Sequence, residues 1–145
     1  MYCLSLDDNL IDNWKSIDQL NEYHQIKRLR FANNPLLSIT EGGEIAAWAM
    51  IIAKMKYLDK YWGGDIPKSE KKDCELFYMK TSYLEFTKVI GKVTSLEDEK
   101  LSQYMQEHHP WWYELVEMYG NPIEELNSDK QKGKDIKANS ISITI

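Results

Sequence analysis

The sequence predicts a mainly α fold: a compact bundle of five or six helices around one apolar central helix over 45–62. Nine consecutive apolar residues, Ile45 to Ala53, include four alanines and few β-branched side chains, a mixture that favours helix over strand. Helical 3–4 spacing recurs in separate segments. Strand-like alternation is limited to Tyr2–Leu6 and Ile141–Ile145, which predicts at most a small two-stranded ribbon formed by the chain termini.

Asp7, Asp8 and Asn9 end the first alternation and offer caps for a helix carrying Leu10, Ile11, Trp14 and Ile17. This helix runs from Asp8 to Phe31 or breaks near Asn21. Asn33-Asn34-Pro35 stops it. The central helix starts near Glu41 or Glu44, carries Ile45, Trp48, Ile52 and Met55 on one side, and is closed by Gly63-Gly64. Leu76, Met79, Tyr83, Phe86 and Ile90 form the stripe of a further helix, ended by Gly91. Ser95 to Asp98 resembles a capping box before Leu101, Tyr104 and Met105. Pro110 interrupts that helix and suits the first position of another, which Gly120 terminates. A short helix over Pro122–Leu126 follows. The expected organisation is one helical domain over 1–126, a lysine-rich linker over 127–139, and a terminal strand over 140–145 that returns to the domain.

A chain of 145 residues suffices for one core, and a net charge of −5 modestly disfavours nonspecific nucleic-acid binding. Cys3 and Cys74 form no disulfide framework or metal-ligand pattern. The N-terminus lacks the basic and apolar regions of a signal peptide, and the apolar run is half the length of a membrane span. A cytoplasmic protein with reduced thiols is expected.

No phosphate-binding loop, dinucleotide fingerprint, metalloprotease or nucleophile-elbow motif occurs. Glu107-His108-His109 with Glu114 nearby contains metal-ligand types, but adjacent helical histidines diverge by about 100° and Pro110 bends the chain there. The expectation is therefore no metal, no cofactor and no catalysis, with His109 serving as a helix cap and His108 half-buried.

Protein recognition is the preferred function. Trp111 and Trp112 cannot both face one core, so one ring is expected at a surface with Tyr113, rimmed by Glu107, Glu114 and Glu117. Tyr57, Tyr61 and Trp62, at the end of the central helix, extend this surface. Such an acidic rim would steer a basic protein, as in an inhibitor or neutralising partner of the immunity or antitoxin kind. Two alternatives stay open. One is a nucleic-acid accessory protein using Lys27, Arg28 and Arg30, with direct contact disfavoured by the sparse charge. The other is a small enzyme or metal protein centred near His108 and His109.

Overall fold

The computed structural model describes residues 2–61 and 64–128. Among them are seven helices and a four-stranded mixed sheet; the expected terminal ribbon is replaced by a sheet internal to the fold, and the expected five or six helices become seven. The strand expected over 140–145 and most of the linker over 127–139 lie outside the described residues. Two compact units are present. The described part of the first comprises 2–61 and 64–75, and that of the second 76–128.

The first unit opens with β1 (Tyr2–Ser5), α1 (Trp14–Leu20) and β2 (Ile26–Arg30). It continues with α2 (Pro35–Ile39), α3 (Gly43–Lys54), β3 (Lys60–Tyr61) and β4 (Gly64–Asp65). Strands β1, β2 and β3 are parallel neighbours in that order, and β4 returns antiparallel to β3. Residues 26–30, expected on a helix, thus form a strand.

The reason is an internal repeat. Met1-x-x-Leu4-x-Leu6-x-x-Asn9-x-Ile11 recurs as Ile26-x-x-Leu29-x-Phe31-x-x-Asn34-x-Leu36, an offset of 25 residues. Register follows the same offset, with Leu4 beside Leu29 and Ser5 beside Arg30. Asp8 and Asn33, also 25 apart, both take the left-handed conformation (φ 62° and 60°) that Asp and Asn tolerate best among non-glycine residues. This spacing, with a parallel strand per unit, is the leucine-rich-repeat pattern. A third strand joins at an offset of 32, Tyr61 taking the place beside Leu29.

Asn34 ties the two repeats together from a buried position. Its Nδ2 donates to the carbonyls of Leu6 (2.9 Å), Phe31 (3.0 Å) and Ala32 (3.3 Å), while its Oδ1 accepts from the Ile11 amide at 3.3 Å. Leu36 N donates to Ile11 O alongside. Asn9 makes only the local half of this set, to Leu6 O and Asp7 O, and is exposed.

Helix α3 is the apolar centre of the unit, buried on every side from Ala46 to Lys54 and packed on α1 and α2. Trp48 is fully buried, whereas Ile45 is 38% exposed. Gly42 and Gly43, both at positive φ (94° and 83°), permit the sharp turn from α2 into α3. The helix ends at Lys54, well short of the expected residue 62. Tertiary bonds replace the next turn: Asn21 Oδ1 accepts from Lys56 N, and the Lys71 ammonium gathers the carbonyls of Met55, Lys56 and Leu58. A cation there suits the negative end of a helix. Lys60 and Tyr61 are then free to join β2. Lys54 itself is buried against Asp18 at 2.9 Å.

α4 (Lys68–Val89) carries the chain from the first unit into the second, where α5 (Glu99–His108), α6 (Trp112–Tyr119) and α7 (Ile123–Asn127) follow. Met79, Tyr83 and Phe86 of the expected stripe are buried, and Ile90 beyond the helix is 49% exposed. Tyr83 Oη donates to Asn127 Oδ1 at 2.7 Å, and Asn127 Nδ2 donates to Val93 O at 2.7 Å, fastening α7 to the loop after α4.

Replacing Asn34 by Ala leaves buried backbone groups unpaired on two turns and is expected to cost about 2–4 kcal/mol. The same change at Asn9 is expected to cost less than about 1 kcal/mol, because only exposed local bonds are lost. Urea denaturation of both variants measures this, and equal small losses would refute the cross-turn role of Asn34.

Candidate protein-binding surfaces

In the second unit, Asp98 caps α5 through its side chain, which accepts from Lys100 N and Leu101 N. His109 closes the helix and Pro110 follows, so α6 starts at Trp112 and not at Pro110. The adjacent tryptophans diverge at this corner. Trp112 is fully buried, its Nε1 donating to Met79 O at 2.8 Å, while Trp111 is half-buried. Tyr113 is half-buried, its hydroxyl donating to Leu96 O at 2.8 Å. Glu107, Glu114 and Glu117 are exposed, as is Met118 at 58%. The surface available here is therefore Trp111, Tyr113 and Met118 among carboxylates, with Trp112 part of the core beneath.

The two histidines take opposite places. His108 is exposed, its ring tilted against that of Tyr104 with centres 4.5 Å apart; His109 is buried. Its Nε2 lies 2.7 Å from Glu85 Oε2 and its Nδ1 2.8 Å from the Tyr78 hydroxyl. An ionised carboxylate only accepts, so Nε2 donates to Glu85, and the Tyr78 hydroxyl is the hydrogen-bond partner of Nδ1. The Tyr104 hydroxyl donates to the same Glu85 oxygen at 2.6 Å. Hydrogen bonding from His109, reinforced by Tyr104, holds the Glu85 carboxyl down to about 2, while burial and the bond to Glu85 raise the Tyr104 hydroxyl. Among the described residues no three His, Cys, Asp or Glu side chains converge on a metal position. Cys74 is buried, its thiol pushed up to about 12 by burial, which leaves it protonated and unreactive near neutrality.

In the first unit the sheet sorts its residues by face. Leu29 and Phe31 of the β2 segment are fully buried, while Arg28 and Arg30 point to the solvent side, beside Cys3 and Ser5 of β1 and Lys60 of β3. Arg30 pairs with Asp7 at 3.0 Å, and Lys60 with Asp65 at 2.6 Å. Arg28, on the central strand, has no hydrogen-bond acceptor on its guanidinium among the described residues. Lys27 falls at the irregularity in β1–β2 pairing, its ammonium 5.3 Å from the centre of the Tyr57 ring. The three basic residues read together in the sequence are thus not one patch.

Tyr57 is 36% exposed, its ring tilted against that of His24 with centres 4.2 Å apart. Tyr61 is buried in β3, its ring 6.0 Å from that of Trp48. Trp62 lies outside the described residues. Ser5 and Lys60, absent from the sequence-derived site, share the sheet face with Arg28 and Arg30, and Asp7 joins them through Arg30; the 25-residue repeat was the signal that would have placed Ser5 there, whereas Lys60 arrives by the third strand at an offset of 32.

The Glu85 cluster carries a pH signature. Its folded pKa lies below the unfolded value, so its stabilising contribution is full above about pH 4.3 and is lost as pH falls toward 2. Glu85→Gln is expected to flatten this part of the acid-unfolding profile and to lower stability at pH 7. A profile between pH 5 and 2 identical to that of the parent protein would refute the assignment.

Sequence comparison finds relatives along almost the whole chain. It is 27% identical over 143 residues to tubulin-folding cofactor E of Arabidopsis thaliana, an alignment covering 99% of this chain and 24% of the relative. It is 30% identical over 128 residues to tubulin-specific chaperone E of Danio rerio, covering 88% and 24%. For tubulin-specific chaperone E of Xenopus laevis the identity is 28% over 142 residues, covering 98% and 27%. The chain thus spans about a quarter of the length of the curated relatives it matches. No family model matches the chain, and no solved structure matches it.

Proposed function

We propose that this chain is a non-catalytic, cytoplasmic protein-binding element of tubulin-chaperone type, and that its partner is tubulin. The observation that carries the reading is similarity to proteins named as tubulin-folding cofactor or tubulin-specific chaperone, extending over 84–99% of the chain in four relatives. Those names support a folding partner and not the narrower inhibitor or antitoxin role that acidity suggested. Nucleic-acid contact has weaker support, since Lys27 is set apart from Arg28 and Arg30 and each arginine belongs to a sheet face of mixed charge.

The contact surface we assign is the solvent face of the parallel sheet. Stacked repeats present extended faces to macromolecular partners, and here Arg28 stands at the centre of that face without a hydrogen-bonded acid. A second reading uses Trp111, Tyr113, Glu107, Glu114 and Glu117 around α6. It is favoured by the half-buried Trp111 ring and the exposed Met118.

Binding of purified tubulin to the immobilised chain tests both. The R28E/R30E double variant is expected to weaken binding at least about tenfold, equivalent to about 1.4 kcal/mol, while W111A/M118A leaves it within about twofold. The reverse pattern would move the contact to α6. No binding of tubulin by the folded parent chain would overturn the proposal.

A further inference from the structure

Among the described residues three cations, Arg28, Arg30 and Lys60, share the solvent face of the parallel sheet in fixed register. Arg28 and Arg30 occupy alternate positions of β2, about 6.7 Å apart at the rise of a strand. Lys60 stands beside Arg28 on β3, with about 4.8 Å between the strands. On the other flank Cys3 and Ser5, both small and both exposed, are in register with the two arginines. In β1, then, no bulky side chain covers either guanidinium.

Like charges side by side on neighbouring strands repel, and here they are only partly offset. Lys60 donates to Asp65 at 2.6 Å, and that carboxyl is held low by Lys60 and more weakly by Arg28. Arg30 is 54% exposed and bonds Asp7 through Nη2, which leaves its other N–H groups for a ligand. Asp7 is also committed to the turn, its Oδ1 accepting from Ala32 N at 2.8 Å. Arg28 makes no hydrogen bond to an acid among the described residues, and its Nε, shielded from water, has no acceptor. An unpaired polar atom so placed is costly.

From this array we infer that the partner segment received by the sheet face is an extended acidic peptide with carboxylates at alternate positions. The inference rests on the reading of that face as the contact surface and adds what the face selects. Alternate residues of an extended chain repeat at the interval that separates Arg28 from Arg30. One carboxylate meets Arg28 and Lys60 together, the next meets Arg30, and the intervening side chains face solvent. A carboxylate suits a guanidinium because two parallel N–H···O bonds form at once. The floor left by Cys3 and Ser5 is one strand wide, which suits an extended chain better than a helix of about 10 Å diameter.

Amide-shift titration of the full isotope-labelled chain tests this with two peptides of equal composition and about twelve residues. One alternates Glu and Thr. The other repeats Glu-Glu-Thr-Thr and so never places two glutamates at alternate positions. The alternating peptide is expected to bind at least about fivefold more tightly, to shift amides along β1 and β2, and to compete with tubulin. Arg28→Gln is expected to weaken it at least about fivefold. Asp7→Asn keeps an oxygen for Ala32 N and frees Arg30, and is expected to tighten it about twofold. Glu41→Gln, an exposed change in the turn before α3, is expected to leave it unchanged. Equal affinity of the two peptides, or equal binding of a single-stranded oligonucleotide of the same charge, would overturn the inference. Tubulin bound through Arg28 and Arg30 with neither peptide competing would overturn it too, while the contact surface stands. Selective binding of the alternating peptide by a chain that does not bind tubulin would support the inference and overturn the choice of partner.

Discussion

The buried side chain of Asn34 is the interaction on which the first unit depends. A chain leaving a parallel strand inside a stack must turn where water cannot reach its backbone, and unpaired N–H and C=O groups there are costly. One amide side chain resolves this, donating to three carbonyls and accepting from one amide across two turns. Satisfying Leu6 O and Ile11 N from the next repeat also fixes the distance and register between repeats. The left-handed Asp8 and Asn33 follow from the same geometry, as does the ion pair from Asp7 to Arg30. Asp7 further accepts from Ala32 N at 2.8 Å, so the outer edge of the turn is bonded as well as the inner.

Register then decides which side chains reach solvent. Because neighbouring residues of a strand face opposite sides, fixing Leu29 and Phe31 inward fixes Arg28 and Arg30 outward. Their chemistry becomes that of a sheet face, in line with Cys3, Ser5 and Lys60, and not that of a basic helix. Asp7 and Asp65 pair with Arg30 and Lys60 on this face, and Arg28, near enough to Asp65 to lower its carboxyl, makes no hydrogen bond to an acid among the described residues. An overall charge of −5 says little about such a face, since screening confines each exposed charge to its own neighbourhood.

The helices of the second unit were legible because each carries local signals: the Gly120 stop and apolar residues at 3–4 spacing through Met79, Tyr83 and Phe86; the capping box read at Ser95–Asp98 put the start of α5 too early, since Asp98 itself is the cap. The opposed fates of Trp111 and Trp112 were legible for the same reason. The sheet was hidden by a coincidence of spacing. In Ile26-x-x-Leu29 the step of three resembles a helical step, and the period-two portion, Leu29-x-Phe31, is too short to oppose it. Only comparison with Leu4-x-Leu6-x-x-Asn9 separates the two, because the repeat is a long-range feature. The end of α3 was illegible for a different reason. Met55 to Tyr61 has helical composition, but Asn21 and Lys71, distant in sequence, bind its backbone, and pairing with β2 takes the rest. Tertiary bonds here override propensity.

Perturbed titratable groups mark active sites when they are held ready for a reactant. In this protein they are held by the scaffold instead. Glu85 is ionised because His109 and Tyr104 both bond one of its oxygens, and His109 has Tyr78 on its other nitrogen. Glu70 and Cys74, one helical turn apart, are both shifted by burial toward their neutral forms. Lys71 is lowered by burial while its ammonium closes the end of α3. A substrate reaching Glu85, His109 or Lys71 would have to displace a bond that maintains the fold. Surfaces carry no such conflict: Arg28 and Trp111 stand on elements whose positions are already secured by buried partners, Leu29 for one and Trp112 for the other.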